Sequence, residues 1–175
     1  MGCCSRFIGS LIFTIIQLCV LLSVIISTPI SQIDSKASKL CYTFWGMKSD
    51  CSKTTYSLKG KLAFGNCAQR RDSMNGGAAF AIISIFTTLV ALLFGLLMVI
   101  RNPCAVFFPL LFTCISVFTI LISWACVAGA LNIKMCGIKW SLFALEYGAG
   151  FGLMVVAFCL QIINVLLLMF IFRCC

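Results

Sequence analysis

The amino-acid sequence predicts an all-α membrane protein, a bundle of four transmembrane helices that carries a small antiparallel β-sheet outside the bilayer. Hydrophobic residues make up 62% of the chain and charged residues only 10%, and the mean hydropathy is +1.15. A soluble domain carries about a quarter charged residues, so the composition indicates an integral membrane protein. Four apolar runs are each long enough to cross a hydrocarbon core about 30 Å thick.

The apolar runs place the spans at about 7–26, 78–100, 104–131 and 142–172 of a single membrane domain. The first run is longer than the apolar core of a signal peptide, about 7 to 15 residues, so we interpret it as a retained span. Spans two and three are expected to form an antiparallel hairpin, because the connection between them is very short: Asn102 can cap the third helix and Pro103 can start it. The fourth run exceeds the bilayer thickness, and its first helical turns are expected to project beyond the lipid.

Pairs of small residues indicate helix faces that can approach one another closely. Ala125 and Gly129 lie one turn apart near the end of the third span, and Gly148 and Gly152 are spaced likewise in the fourth. Small side chains allow close packing of helix backbones within a membrane. These faces are expected to pack within the bundle or against a second copy of the chain, forming a homo-oligomer.

The two loops lie at about 28–77 and 132–141, and the first contains the predicted sheet. Apolar and polar residues alternate over 40–45 and again over 53–59, and the alternation resumes at Leu62 and Phe64. This period is typical of half-buried strands. The apolar face of the sheet is expected to cover the helix ends, with its lysines directed to solvent.

The segment CYTFWGMKSDC, residues 41–51, places two adjacent aromatic residues in a polar loop. Phe44 and Trp45 need apolar partners or a bilayer surface beside them. Gly46 permits a turn with positive φ that returns the chain toward its starting point. A disulfide between Cys41 and Cys51 would close this loop and restrict the unfolded chain.

The same segment resembles the amastin signature, in which two cysteines enclose an aromatic residue, a glycine, and basic and acidic positions. The residues that fill the restricted positions are Cys41, Tyr42, Thr43, Phe44, Trp45, Gly46, Lys48, Asp50 and Cys51. Amastins are surface proteins of trypanosomatid parasites, distantly similar to the claudin group of four-helix membrane proteins. The resemblance implies a claudin-like architecture with both loops exposed at the cell surface.

The thirteen cysteines divide by their position along the chain. Cys67 and Cys136 are the remaining loop cysteines and are expected to pair with each other. Cysteines within the spans are expected to act as small apolar fillers. Gly2, followed by Cys3 and Cys4, is a candidate for myristoylation with palmitoylation, and Cys174 and Cys175 are candidates for palmitoylation; ordinary membrane-proximal thiols are the alternative.

Two observations give opposite orientations in the membrane. Most basic residues lie in the loops, so the positive-inside rule alone would place the loops in the cytoplasm. Paired loop cysteines require an oxidising compartment, and terminal thiols meet the acylation machinery in the cytoplasm. We follow the cysteines and the family resemblance, which predict a multi-pass protein of the plasma membrane with both termini cytoplasmic.

The composition argues against an enzyme and against cofactors or metal. The chain has no histidine, and none of its four acidic residues lies in the part of a span expected within the lipid. We expect a non-enzymatic protein that works in adhesion, host–parasite interaction or membrane organisation. Beyond the bilayer, its partners would be anionic glycans or lipid headgroups rather than nucleic acid. The basic surface expected to meet them consists of Lys53, Lys59, Lys61, Arg70 and Arg71, although lysines also protect sheet edges from pairing.

The alternative function is a small-molecule or lipid transporter or channel subunit. Its candidate residues are Gln17, Gln161 and Asn164, the strongly polar side chains deep within the spans. Gln17 and Gln161 are about equally far from the same membrane face, and Asn164 lies one turn from Gln161. An unpaired amide is costly in hydrocarbon, so we predict that the three face the bundle and hydrogen-bond across it.

Overall fold

The computed structural model describes residues 2–36, 39–53, 55–59, 62–64, 67–100 and 106–174, with side chains except those of residues 2–6, 59 and 174. Its four long helices are α1 (Gly2–Ser27), α2 (Ala68–Ile100), α3 (Phe107–Asn132) and α4 (Ala149–Cys174). The strands are β1 (Ile33–Ser35), β2 (Cys41–Thr43), β3 (Gly46–Lys48), β4 (Leu58–Lys59) and β5 (Leu145–Tyr147). A 3-10 helix, Trp140–Phe143, precedes β5.

The four long helices form the predicted bundle, and each is long and apolar enough to cross a membrane. α1 packs on α2 and α4, and α3 packs on the same two helices. The outward faces carry large exposed apolar side chains, among them Phe86, Phe118 and Leu166. A water-soluble bundle would place such residues inside, so these faces are the surface that lipid covers.

Helix α2 begins well before the predicted start at residue 78. Gly76 and Gly77 directly precede that predicted start, but both lie inside the helix. A Cβ atom on Gly77 would come within 3.2 Å of the Ser123 carbonyl oxygen and 2.8 Å of Phe44 Cε1. Glycine therefore allows α2 to cross α3 closely here, and the first turns of α2 belong to the loop end of the bundle.

Helix α3 begins at Phe107, later than predicted. Its N-cap is Val106, which makes no side-chain cap hydrogen bond. Asn102 and Pro103, the predicted cap and helix start, lie outside the described residues. Pro109 falls in the first turn, where the missing N–H has no helical acceptor and so costs little.

The prediction that the fourth span starts as a helix at residue 142 is wrong. The chain there forms the 3-10 helix and β5, and α4 starts only at Ala149. Gly148 lies before the helix, where a Cβ atom would be 2.5 Å from the Ser31 carbonyl oxygen. β5 pairs with β1, and this pairing places residues 145–147 in a strand.

The small-residue pairs do not form the close helix–helix contacts expected of them within the bundle, since the close approach of Gly148 is to Ser31. Ala125 is exposed, and a Cβ atom on Gly129 would meet only Ile133, at 3.5 Å. Gly152 has nothing within 4 Å of its added Cβ position. The close approach of α2 and α3 is made at Gly77 instead.

The sheet has five antiparallel strands in the order β4-β3-β2-β1-β5, so it draws on both loops and not only on the first. The predicted strand over 40–45 ends at Thr43. The Thr43 hydroxyl accepts a hydrogen bond from the Trp45 N–H and donates one to the Gly46 carbonyl, both at 3.1 Å. Gly46 has a φ of +155°, in agreement with the predicted turn.

The main core runs from the helices into the sheet without interruption. Val20 and Val24 of α1 and Met74 of α2 belong to the same buried cluster as Phe44 and Trp140. Phe44 is 1% exposed, whereas Trp45, at the tip of the turn, is 44% exposed. The two adjacent aromatics therefore differ: Phe44 anchors the loop to the bundle and Trp45 projects from it.

Replacement of Gly77 by alanine is expected to destabilise the protein. Alanine is intrinsically better than glycine in a helix by about 0.5–1 kcal/mol, but overpacking costs about 1–3 kcal/mol. Gly152→Ala is the matched control, because nothing occupies the space around Gly152. Thermal unfolding in detergent should show Gly77→Ala below and Gly152→Ala at or above the native midpoint. Equal midpoints for the two variants would contradict the close approach at Gly77.

Candidate functional site

The two loops form one structure at the same end of the bundle, which we call the cap (described residues within 28–67 and 133–148). A disulfide joins Cys67 to Cys136, with their Cα atoms 5.9 Å apart. β1 and β5 pair directly, and Lys36 forms a salt bridge of 3.0 Å with Glu146. The loops are thus held together by a disulfide, by backbone hydrogen bonds and by a salt bridge.

A second disulfide joins Cys41 to Cys51, with a Cα separation of 5.5 Å. It encloses β2, the turn and β3. Cys41 is buried and Cys51 is exposed, so the bond ties the outer end of β3 to the interior of the cap. Both disulfide pairs expected from the sequence are present.

The two charged signature residues of this segment, Lys48 and Asp50, have structural partners. The Lys48 ammonium lies 5.1 Å from the centre of the Tyr56 ring. Asp50 accepts hydrogen bonds from the Ser52 N–H at 3.0 Å and the Ser52 hydroxyl at 2.8 Å. These bonds favour the ionised carboxylate and hold the pKa of Asp50 below its usual value.

The cap contains an aromatic cluster. The Tyr42 ring lies 4.5 Å from the Trp140 ring, and Phe64 lies within 6.4 Å of both. Burial raises the pKa of Tyr42, because the phenolate would lose its hydration; the charge of Arg70 acts in the opposite direction with smaller effect. The cluster joins β2 to the second loop.

Arg70 was expected on the basic surface, and the structure shows that this is wrong. Its side chain is 5% exposed, and its guanidinium lies 4.3 Å from the centre of the Trp140 ring. The Arg70 Nη2 group donates to the carbonyls of Ile138 at 3.0 Å and Met135 at 3.4 Å. Recognising that α2 starts at Ala68 would have placed Arg70 on the same helix face as buried Met74, one turn along.

The exposed positive charge of the cap differs from the predicted set. Lys53 is exposed as expected, but Arg71 forms a salt bridge with Asp72 at 3.2 Å. Lys61 and the side chain of Lys59 lie outside the described residues. Exposed lysines that were not included in the prediction are Lys36, Lys39, Lys134 and Lys139, and of these Lys36 is paired with Glu146.

The polar residues of the spans face the interior of the bundle, where the sequence analysis placed them. Gln17, Gln161 and Asn164 are all 0% exposed. Asn164 Nδ2 donates to Gln17 Oε1 at 2.8 Å, and Gln17 Nε2 donates to the Thr88 carbonyl at 3.2 Å. These two bonds link α4 to α1 and α1 to α2.

The same network continues to α3 and closes the ring of helices. Gln161 donates to the Ser116 hydroxyl, and the Ser84 hydroxyl donates to Thr119 at 3.0 Å. The Ser123 hydroxyl also donates to the Gly77 carbonyl at 2.9 Å. Side-chain hydrogen bonds therefore connect the helices around the whole bundle, which we call the polar belt.

The remaining cysteine positions separate into two groups. Cys19 and Cys159 are exposed on the lipid-covered surface, while Cys114 and Cys126 are partly buried. The lipidation candidates are not tested: α1 begins at Gly2, but Cys175 and the side chains of Cys3, Cys4 and Cys174 lie outside the described part of the chain. Asp34 lies close to Cys41 and Cys51, but a disulfide consumes both thiols, so the three do not form a metal site.

A comparison with protein-family models matches the Amastin surface glycoprotein family over residues 18–168. The match begins within α1 and ends within α4, so it spans the cap and α2 and α3 completely. No curated protein was found to match the chain.

The two disulfides are expected to contribute unequally to stability. Loop closure in the unfolded chain predicts about 4 kcal/mol for Cys67–Cys136, with a separation of 69 residues, and about 3 kcal/mol for Cys41–Cys51, with a separation of 10. We expect the Cys67→Ser/Cys136→Ser variant to unfold at a lower temperature than Cys41→Ser/Cys51→Ser. The opposite order would show that the inter-loop bond is not the principal constraint on the cap.

The bond between Gln17 and Asn164 is expected to act as a link between helices. A double-mutant cycle with Gln17→Leu and Asn164→Leu should give a coupling energy of about 0.6–2 kcal/mol. As a control, lipid-facing Leu18→Val should show no coupling with Asn164→Leu. Zero coupling for the amide pair would contradict its role, and a Gln17→Leu protein that folds normally but loses solute flux would favour transport.

Proposed function

The chain belongs to the amastin family of surface glycoproteins, and from this we propose that its cap is a rigid platform for adhesion, host–parasite interaction or membrane organisation at the plasma membrane. The protein is a multi-pass membrane protein with extracellular disulfides. In the proposed orientation the cap lies outside the cell and both termini lie in the cytoplasm. An oxidising exterior preserves the two disulfides, which supports this orientation.

The observation that carries the proposal is the exposure of lysines on a cross-linked support. Lys39, Lys53, Lys134 and Lys139 are exposed, and they come from both loops of the cap. Because the sheet and the disulfides fix the cap before any partner arrives, little conformational freedom is lost on binding. Such a surface suits an extended anionic partner, such as a sulfated glycan or the headgroups of an opposing membrane.

The proposed role of the cap is non-enzymatic. Several charged groups in or beside the cap are engaged in structural contacts: Asp50 with Ser52, Glu146 with Lys36, and Arg70 with loop carbonyls. General acid–base chemistry needs paired titratable groups that converge on a reacting atom. None of these contacts arranges such a pair.

The contacts of the polar belt support helix packing as the role of its amides, rather than solute transport, which is the alternative function. Its amides bond from helix to helix and are fully enclosed. The cavity between α3 and α4 is instead lined by apolar residues and cysteine, among them Val117, Phe118 and Ile162. A solute pathway needs polar groups that line an open cavity, and this cavity offers none.

Binding of the purified protein to a heparin-like polymer tests the adhesive surface. Affinity should fall as salt is added and change little between pH 7 and about pH 5, because lysines stay protonated and the chain has no histidine. The lowered pKa of Asp50 keeps its carboxylate ionised over this range, since the group would gain a proton only below its usual value.

Variants of the cap lysines provide the controls for this measurement. Lys53→Gln, Lys134→Gln and Lys139→Gln should each weaken binding by about fivefold. Arg173→Gln, at the opposite end of α4, should leave binding unchanged. Binding that is indifferent to salt, or equally weakened by Arg173→Gln, would refute an electrostatic cap surface.

A further inference from the structure

A cavity of about 220 Å³ opens on the cap beside the inter-loop disulfide. It could hold several water molecules, each about 30 Å³ in the liquid. Its lining is mostly apolar apart from one charged residue, Arg70. The lining residues are Cys67, Arg70, Met135, Cys136, Ile138, Trp140 and Phe143.

Arg70 presents a buried cation to this cavity. Its side chain is 95% buried, yet its Nε–H has no hydrogen-bond acceptor among the described residues. The partners of the Arg70 Nη2 group are neutral carbonyl oxygens. A buried charge normally has an opposite charge beside it, since desolvation is otherwise costly.

The described part of the chain supplies no carboxylate to balance Arg70. All four acidic residues are within the described part of the chain. Glu146 is paired with Lys36, Asp72 is paired with Arg71, Asp50 is bonded to Ser52, and Asp34 lies beside Cys41 and Cys51. Among the described residues, no carboxylate oxygen lies within 4.0 Å of the Arg70 guanidinium.

The position of Arg70 in its helix adds to the unbalanced positive charge at this site. It lies in the first turn of α2, where the helix dipole is positive and unpaired N–H groups accumulate. A cation is unfavourable at that end, and an anion is favourable. The positive charge of Arg70 and the positive end of the α2 dipole therefore both favour an anionic ligand.

Exposed apolar side chains surround the opening of the cavity. Ile138 and Phe143 line it, and both are exposed. A small hydrated anion would gain nothing from these groups. A ligand with an apolar chain attached to its anionic head would cover them.

We propose that this cavity binds the phosphate or carboxylate head of an amphiphile, with Arg70 as its counter-ion and Ile138 and Phe143 in contact with its chain. The guanidinium suits such heads because it offers several donors in a fixed plane. This site is separate from the exposed lysines and would accept one small molecule rather than a polymer. An experiment can therefore support or refute this site independently of the adhesive surface.

Titration of the full-length protein in a neutral detergent with octyl phosphate tests the proposal, with tryptophan fluorescence as the readout because Trp140 lines the cavity. Octyl phosphate should bind and saturate. Octanol, which lacks the charge, and inorganic phosphate, which lacks the chain, should each bind at least about tenfold more weakly. No saturable binding of octyl phosphate would overturn the proposal, and equal binding of inorganic phosphate would overturn the amphiphile as the ligand.

Two variants locate the site. Arg70→Met removes the charge and should weaken binding at least about tenfold. Because this variant also frees two loop carbonyls and can fail to fold, Phe143→Glu provides a second measurement: the residue is exposed and lines the cavity, and a carboxylate there would remove an apolar contact with the chain and repel the anionic head. The matched control is Leu142→Glu, which places the same charge outside the cavity lining and should stay within about threefold of the native protein at physiological salt. Unchanged binding in Phe143→Glu would overturn the proposal.

Discussion

The covalent link between Cys67 and Cys136 is the constraint on which the cap depends. It joins the residue before α2 to the middle of the second loop, which are 69 residues apart in the chain. Because the disulfide holds the start of α2 against the second loop, Arg70 reaches the loop carbonyls and stacks on Trp140. Trp140 in turn packs against Tyr42 of β2. The first turns of α2, the second loop and the sheet therefore behave as one unit.

The polar belt determines the orientation of the helices that carry this unit. In lipid, apolar side chains give helices little preference for one another over the surrounding chains, so hydrogen bonds and small residues decide which faces meet. Gln17 and Asn164 set α1 against α4, and Ser123 bonds to α2 at the glycine where α2 and α3 approach closely. The belt lies in the membrane, but the position of the cap depends on it.

The sequence could predict the features that depend on local composition. Hydropathy located the four helices, and the spacing of Cys41 and Cys51 around a glycine turn indicated their disulfide. The predictions that failed depended on contacts distant in the chain. Arg70 is buried because it meets the second loop, and residues 145–147 form a strand because β1 offers an open edge. Neither contact leaves a periodic signal, and glycines within α2 resembled a helix boundary.

The central claim is that both loops form one disulfide-linked cap on the outside of the cell. Intact cells that display the protein can be treated with a membrane-impermeant thiol reagent, before and after an impermeant reductant, and the labelled cysteines mapped by mass spectrometry. We expect no label on Cys41, Cys51, Cys67 or Cys136 before reduction, and label after it on Cys51 and Cys136, the exposed member of each pair. Label on these residues without reduction, or only after the cells are permeabilised, would contradict the account.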